Sequence, residues 1–184
     1  MTLEEYVAEL DRLDRDATAL AGSLTDAQAN WQPEGGRRWS VTQNLHHLAK
    51  TNEVYTGSLR EGLARAAAAD ASRQDLSAVP GWFGRWFIRM MEPPPRFRVR
   101  TRRVVQPPST GSVRDALGAF LASHGSVREF VREAAQRDLR ATFTSPFGPV
   151  RFSLATGLLA LAAHDRRHLW QARQVLTFEG FPGR

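Results

Sequence analysis

The sequence predicts an all-α protein, a four-helix bundle with one long crossover connection and a short extra helix or extended segment within residues 70–111. Four long stretches repeat apolar residues every three or four positions, which is the period of an amphipathic helix. A serine or threonine stands at the start of each stretch, where a helix N-cap is expected. The connection between the second and third stretches is long and irregular, which favours a crossover over simple up-down wiring.

The first helix is predicted from about Thr2 to Ser23, because Thr2 and Glu5 fit a capping box and apolar residues follow at helical spacing. A connection rich in turn formers follows, with room for one short helix after Thr25. The second helix is predicted to have Ser40 as its N-cap and to run to about residue 67. Its inner stripe consists of Val41, Leu45, Leu48, Asn52, Tyr55 and Leu59.

Between the second and third helices the pattern is less regular. Residues 81–91 are dense in aromatic side chains and predict a short helix or a packed cover. Residues 93–108 are bounded by prolines and alternate like an extended segment. We interpret this region as a crossover, and since no repeat or long linker interrupts the chain, residues 1–184 are predicted to form one domain.

The third helix is predicted from near Ser112 to about Arg137. Residues 141–152 contain two prolines and a glycine and predict a loop or a short hairpin. The fourth helix is predicted from Ser153 to about Phe178. Apolar residues line one face of each: Val113, Leu117, Phe120, Val127 and Val131, with His124, on the third, and Leu154, Leu158, Leu161, Ala172 and Val175 on the fourth.

Composition excludes several kinds of chemistry. The chain has no cysteine, so disulfides, thiolate metal ligands and a cysteine nucleophile are absent, and a metal must be held by nitrogen and oxygen. No apolar run is long enough to span a bilayer, and the N-terminus lacks the pattern of a signal peptide, so we expect a cytoplasmic protein without a membrane partner. The net charge is +6, almost all of it from arginine. That balance is compatible with nucleic-acid binding, but no known binding module supports it.

Two histidines on the fourth helix indicate a metal site. His164 and His168 are four residues apart and therefore lie on one helix face, at the apolar stripe. Asp165 is also close to the stripe, whereas Arg166 and Arg167 are predicted to point away. An exposed pair at this spacing is common, but buried imidazoles need partners, and one ion supplies a partner for both rings.

The remaining histidines differ in their predicted positions. His47 lies beside the stripe of the second helix and is a better third ligand than His46, although alone it is more typical of a boundary histidine bonded to a neighbouring helix. His46 is predicted to face solvent. His124 lies on the apolar face of the third helix, and we interpret it as a core histidine with satisfied hydrogen bonds rather than a ligand.

Two motifs resemble the DinB/YfiT-like family of metalloenzymes. RWSVTQNLHHLAKTNEVY (38–55) is similar to the family's second-helix pattern, and HDRRHLWQARQVL (164–176) to its closing His-x-x-x-His motif; NWQPEGGRRWS also fits. The resemblance implies a four-helix bundle with one long crossover and a metal bound by His47, His164 and His168. It implies nickel or zinc, with iron or manganese as alternatives, and a homodimer. Residues 70–111 do not match a general family motif.

Three neutral imidazoles leave coordination positions open, as in catalytic sites. We therefore expect a metal-dependent enzyme for a small-molecule substrate, either a hydrolase or a transferase that uses a low-molecular-weight thiol cosubstrate, as the resemblance implies. Asp165 is the candidate catalytic residue, which orients a ligand ring or acts on a bound water; a salt bridge to an arginine is an equal alternative. A non-catalytic metal-binding bundle and a basic nucleic-acid-binding protein are the competing hypotheses.

Several other side chains have two interpretations. Arg167 and Arg173 are predicted at the surface, with contact to an anionic substrate as the alternative, and Glu53 is predicted at the surface too. The chain also contains an aromatic run, Trp82, Phe83, Trp86 and Phe87, and an arginine run, Arg96, Arg98, Arg100, Arg102 and Arg103. The aromatic run could line a pocket over the metal but is more typical of core or dimer contact. The arginine run is more typical of solvated charge than of phosphate contacts.

Overall fold

A computed structural model of the protein describes residues 1–71, 74–95 and 100–183. Four long helices dominate it, and short helices, two 3₁₀ turns and one hairpin connect them. In chain order the elements are α1 (Leu3–Ala21), α2 (Asp26–Asn30), α3 (Pro33–Gly36), α4 (Val41–Leu63), a 3₁₀ turn (Leu76–Ala78), α5 (Trp82–Met91), a 3₁₀ turn (Arg103–Val105), α6 (Val113–Ala134), β1 (Thr142–Thr144), β2 (Arg151–Ser153) and α7 (Leu154–Val175). None of the helices in the described ranges is long and apolar enough to cross a membrane.

The helices begin where the predicted caps stand. The Thr2 hydroxyl accepts a hydrogen bond from the Glu5 backbone, and the Glu5 side chain accepts one from the Thr2 backbone. Ser40 caps α4, and the hydroxyls of Ser112 and Ser153 cap α6 and α7. These caps satisfy backbone N–H groups that have no partner within their own helix. The predicted helix starts are therefore confirmed.

Helices α4 and α6 end several residues earlier than predicted, because the chain beyond each end pairs with the other. Ala68 and Arg137 form an isolated antiparallel bridge. The Asp138 N–H donates to the Ala67 carbonyl, and the Ala69 N–H donates to the Gln136 carbonyl. These bonds use backbone groups that a longer helix would need, so the helical pattern stops before them.

Helix α1 runs parallel to α7. The Tyr6 hydroxyl donates to the Leu158 carbonyl at 3.0 Å near the start of both helices, and Arg173 pairs with Asp16 at 3.0 Å towards their ends. Both α1 and α4 pack against α6 and α7, which places α1 and α4 on one diagonal of the bundle.

Helix α4 runs parallel to α6, and this direction requires the long crossover. The Asn52 amide donates to the Ser123 hydroxyl at 3.2 Å, and further along Arg60 lies 3.7 Å from Glu133. Two parallel helices cannot be joined by a tight turn, so residues 64–112 must return along the bundle. The prediction of an all-α bundle with one long crossover is confirmed.

The crossover contains the short helix predicted for residues 81–91. Helix α5 packs against α7, and its Phe87 ring stacks on Phe152 of the hairpin at 4.6 Å between centroids. The predicted extended segment contains a 3₁₀ turn whose Val105 is buried, and residues 96–99 lie outside the described ranges. Strands β1 and β2 pair antiparallel with Phe143 opposite Phe152, so residues 141–152 contain a short hairpin.

A polar layer divides the core into two apolar clusters. One cluster surrounds Leu59, Phe130 and Leu158, and the other surrounds Leu45 and Phe120. At the level between them each long helix contributes buried or partly buried polar side chains. These are Asp14 from α1, Thr51 and Asn52 from α4, Ser123 and His124 from α6, and His164, Asp165 and His168 from α7.

His124 lies at the centre of this layer between two carboxylates. Its Nδ1 is 2.6 Å from Asp14 Oδ1 and its Nε2 is 3.1 Å from Asp165 Oδ2, and Arg128 also donates to Asp14. Burial lowers the pKa of His124, but the hydrogen bonds to Asp14 and Asp165 outweigh it and raise the pKa to about 9. The interpretation of His124 as a satisfied core histidine is confirmed.

The close contact between α4 and α7 depends on Gly157. A Cβ at this position would lie 2.6 Å from Leu59 Cδ2 and 2.7 Å from Phe143 Cε1.

Gly157→Ala is therefore expected to lower the free energy of unfolding by about 1–3 kcal/mol, measured by urea denaturation. Gly118→Ala on α6 is the control, because a Cβ there meets nothing within 4 Å. It should stabilise by about 0.5–1 kcal/mol, and equal losses for the two variants would contradict the packing argument.

The raised pKa of His124 predicts a pH-dependent contribution to stability. His124→Gln should cost about 2–4 kcal/mol near neutral pH, because the buried Asp165 carboxylate loses its cationic partner. A raised folded-state pKa gives stability that is complete below about pH 6.5 and is lost as pH rises through about 9. Urea denaturation of both proteins from pH 6 to 10 should therefore show the difference narrowing at high pH. A constant difference across that range would show that the imidazole acts only as a neutral hydrogen-bonding group.

Candidate metal centre

The structure brings His47, His164 and His168 together. One ring nitrogen from each lies within 4.8 Å of the other two. The ring centroids are 5.2 Å apart for His47 and His164, 4.6 Å for His47 and His168, and 4.5 Å for His164 and His168. A tetrahedral ion with bonds of about 2.0–2.1 Å needs donor atoms about 3.3 Å apart. Modest rotation of the side chains therefore brings all three rings within reach of one ion.

The rings of His47 and His168 are each oriented by a hydrogen bond from Nδ1 to an oxygen atom outside the cluster. His47 Nδ1 lies 2.8 Å from the Val105 carbonyl, and since a carbonyl only accepts, Nδ1 carries the proton. His168 Nδ1 donates in the same way to Asn44 Oδ1 at 2.9 Å. The Asn44 amide nitrogen itself donates to the Ser40 carbonyl, which orients the Asn44 oxygen towards His168. Both neutral rings are left with an unprotonated Nε2.

The third ring has an unsatisfied nitrogen. His164 Nδ1 is buried and has no hydrogen-bond partner among the described residues. A buried polar atom of this kind is costly unless something binds it. The cluster thus offers three imidazole ligands, and oxygen acceptors orient two of the rings. This ligand set suits a divalent ion of the zinc or nickel type.

All three imidazoles are electrostatically suited to act as ligands. Burial lowers the pKa of His47, and burial together with the neighbouring ring lowers the pKa of His164 and of His168. The positive charge of Arg167 lowers the pKa of the latter two further. The rings are consequently neutral near pH 7, which is the state a metal ligand requires.

The cluster forms part of the wall of a cavity of about 1340 Å³. This volume exceeds the roughly 300–1,000 Å³ of most small-molecule sites. Trp39, one residue before the cap of α4, lies beside the cluster with its ring 4.8 Å from His47 and 5.8 Å from His168. Apolar and aromatic side chains make up much of the remaining wall, among them Phe87, Met91, Phe147, Leu161, Trp170, Val175 and Phe178.

Two hydroxyls follow His47 along the cavity side of α4. Thr51 and Tyr55 stand one and two turns further on, about 6 and 12 Å along the axis. Both line the cavity, both are buried, and neither hydroxyl has a hydrogen-bond partner among the described residues. Burial raises the pKa of Tyr55, so its hydroxyl keeps its proton. Sequence analysis placed Tyr55 in the core stripe and missed Thr51, although steps of four from His47 indicate both.

Asp165 lies in the polar layer and not in the cavity wall. It is fully buried, and its Oδ2 atom accepts from His124 Nε2. Within the described ranges its ion pair is with His124, so the alternative of a salt bridge to an arginine is wrong. The adjacent Arg166 pairs with Glu9 and Glu92 instead. The catalytic role of Asp165 stays a prediction.

His46 and Arg167 were predicted to face solvent and are more buried than that. His46 is half-buried against Gly111, where the crossover returns to the bundle. Arg167 is 9% exposed, lines the cavity and donates to the Met90 carbonyl at 3.1 Å. In both cases the crossover covers a helix face that periodicity alone assigns to solvent.

The other predicted positions are resolved as follows. Arg173 is exposed and pairs with Asp16, and Glu53 is exposed, so both surface predictions are confirmed. Of the aromatic run only Phe87 lines the cavity, whereas Trp82, Phe83 and Trp86 are exposed. Of the arginine run Arg100 and Arg102 line the cavity, and Arg96 and Arg98 lie outside the described residues.

Comparison with known proteins agrees with this architecture. The chain is similar to YfiT from Bacillus subtilis, which is described as a probable metal-dependent hydrolase with an unusual four-helix bundle topology. The TM-score is 0.63 at 16% identity, over 95% of this chain and 86% of that one, a likeness that shows the fold. No curated protein matches the sequence. A family model of the DinB superfamily matches residues 9–172, a range that includes His47, His164 and His168. The chain therefore belongs to the DinB superfamily.

Proposed function

We propose that the protein is a metal-dependent hydrolase that acts on a small molecule. His47, His164 and His168 bind one divalent ion, zinc or nickel by preference, with iron or manganese as alternatives. The observation that carries this proposal is the paired orientation of His47 and His168, whose Nδ1 atoms are both bonded to oxygen acceptors. This is the usual arrangement of metal-binding histidines. The description of YfiT as a probable metal-dependent hydrolase supports the same function.

The ion supplies a Lewis acid with open coordination positions, which activates water or polarises a carbonyl group. The protein supplies position and a shielded environment. The Trp39 ring beside the cluster and the buried apolar wall lower the local dielectric constant. The protonated Tyr55 hydroxyl is a hydrogen-bond donor and the Thr51 hydroxyl a donor or acceptor for a substrate that lies along α4.

A thiol-dependent transferase is the second candidate, and the size of the cavity favours it. A volume of about 1340 Å³ has room for a substrate together with a low-molecular-weight thiol. The chain contains no cysteine, so the thiol has to come from that cosubstrate. The homodimer, the cytoplasmic location and the alternatives of a non-catalytic bundle or a nucleic-acid-binding protein stay predictions.

Metal content tests the ligand assignment directly. His168→Ala should lower the bound metal from about one equivalent to a small fraction, because two ligands hold an ion far more weakly than three. His46→Ala is the matched control and should keep the full equivalent, since His46 lies outside the cluster. Elemental analysis measures the metal, and circular dichroism checks that both variants stay helical. If His168→Ala retained a full equivalent, the site would have to lie elsewhere.

The Asn44 amide is expected to tune metal affinity through His168. Asn44→Ala should weaken binding by roughly 10–100-fold, because His168 loses the acceptor that fixes its ring and tautomer. Competition with a chromophoric chelator measures the dissociation constant. Thr42→Ala, at a buried position of the same helix outside the cavity wall, is the control and should leave that constant unchanged. Equal constants for all three proteins would argue against the assigned orientation of His168.

Activity separates the candidate functions. We expect the metal-loaded protein to hydrolyse members of a panel of carboxylic esters and amides, and the chelator-treated protein and His168→Ala to lose that activity. Turnover that requires added glutathione, with formation of a thioether product, would favour the transferase. A fully metal-loaded protein without turnover in either assay would favour the non-catalytic bundle.

A further inference from the structure

The cavity beside the histidine cluster carries a strong excess of positive charge. Five arginines line it, and Glu179 is the single acidic residue in the part of the wall that the structure describes. The cluster itself adds no negative charge, because its three donors are neutral imidazoles. The lining arginines are Arg37, Arg38, Arg100, Arg102 and Arg167.

Two of these arginines are bonded to groups that orient them without neutralising them. Arg102 donates to the Phe147 carbonyl at 2.9 Å, and Arg37 donates to the Glu34 carbonyl. A carbonyl accepts a hydrogen bond without cancelling the charge. Arg167 donates to the Met90 carbonyl, and Arg38 forms an ion pair with Glu34 and lies over the Phe178 ring at 5.1 Å.

Several arginines elsewhere on the bundle are paired with carboxylates. Arg12 bridges Glu9 and Asp16, and Arg128 bridges Asp11 and Asp14. Others, such as Arg137, donate to a carbonyl as the cavity arginines do. The cavity is distinguished by the number of arginines around one space, five against one acidic residue in the described part of its wall.

Charge and apolar surface occur together in this cavity. Arg167 is almost fully buried in the wall, close enough to the cluster for its charge to act on His164 and His168. Arg100 and Arg102 are exposed at the cavity edge, about where the crossover returns. Aromatic rings, among them Phe147, line the same cavity. A cationic group over an apolar wall recognises a molecule that has an anionic end and an apolar body.

We propose that this cavity binds an amphipathic oxyanion, a small molecule with an aromatic or branched apolar body and a carboxylate or phosphate group. The arginines hold the oxyanion, the aromatic wall holds the body, and the rest of the molecule reaches the histidine cluster. As the substrate class of the enzyme, the inference rests on the proposed function. As a binding preference, it depends only on the cavity.

Matched ligands test the preference. Isothermal titration calorimetry of the metal-loaded protein should compare 4-phenylbutyrate with its neutral amide, 4-phenylbutanamide, which has the same body. We expect the acid to bind at least about tenfold more tightly, because the amide cannot form charge-assisted bonds to guanidinium groups. Phenyl phosphate in place of the carboxylate identifies which oxyanion the site prefers, and inorganic phosphate alone should bind more weakly than either.

A double variant assigns the preference to the cavity arginines. Arg100→Gln/Arg102→Gln should weaken the binding of the preferred acid by about tenfold and leave the amide unchanged. Arg114→Gln/Arg140→Gln is the control, since it removes the same charge at two exposed positions away from the cavity. It should change both affinities by less than about twofold. Neither pair includes a member of the histidine cluster.

Several outcomes would overturn the proposal. They are equal binding of acid and amide, no binding of either acid, and equal losses in the two double variants. A preference for the acid that survived Arg100→Gln/Arg102→Gln would assign the anion to the metal and would equally refute the role of the arginines. Metal content is measured in every sample. Acid preference in a protein that takes up no metal would refute the metal-dependent hydrolase and support the anion site. Full metal loading without acid preference would refute the anion site and leave the metal assignment intact.

Discussion

Burial of polar groups at one level of the bundle is the constraint on which the rest of the structure depends. All four long helices place polar side chains between the two apolar clusters, where each group needs a partner. On one side of this layer the His124 ring finds both partners within the protein, because it bonds Asp14 and Asp165 on opposite ring nitrogens. On the other side the histidines face one another and a cavity. His47 and His168 use their ring protons on acceptors outside the cluster, so their Nε2 atoms can only accept, and an ion is a partner that suits them.

Asp165 and its neighbours on α7 show how one helical turn serves both sides. The Asp165 side chain points towards His124, whereas His164 and His168 point towards the cavity. His164 precedes Asp165 by one residue and His168 follows it by three, so their side chains are rotated from that of Asp165 by about 100° and 300° around the helix axis. The pairing of Asp165 with His124 connects α7 to α6 and, through Asp14, to α1. It thereby holds in place the helix that carries two of the three histidines.

The crossover completes the site rather than merely joining two parallel helices. Its Val105 carbonyl fixes the tautomer of His47, and its Met90 carbonyl holds Arg167 in the cavity wall. It also contributes Phe87, Arg100 and Arg102 to that wall. The family motifs lie on α4 and α7, whereas this wall comes from the region without a general family motif. The histidine cluster thus comes from the family motifs, whereas part of the cavity wall comes from a segment outside them.

Helical periodicity determined much of the architecture from the sequence alone. The apolar stripes, the four caps, the short helix at 81–91 and the crossover all follow from local rules of helix formation, and every residue of the predicted α4 stripe is buried. His164 and His168 were found for the same reason, since their spacing places them on one helix face, whereas the full ligand set with His47 was implied by the family resemblance. Local rules also predicted that helices would continue past Leu63 and Ala134, where pairing across the chain ends them.

The tertiary structure alone decided what covers each face and which groups meet. Periodicity gives the direction of a side chain relative to its own helix, but not the segment that packs there. Arg167 and His46 were assigned to solvent because nothing local indicates that α5 and the residues before α6 cover them. The partner of Asp165 is 41 residues away on the diagonal helix, and the acceptor of His47 is 58 residues away in the crossover. Such contacts depend on how the helices are arranged in space, which a local sequence pattern does not contain.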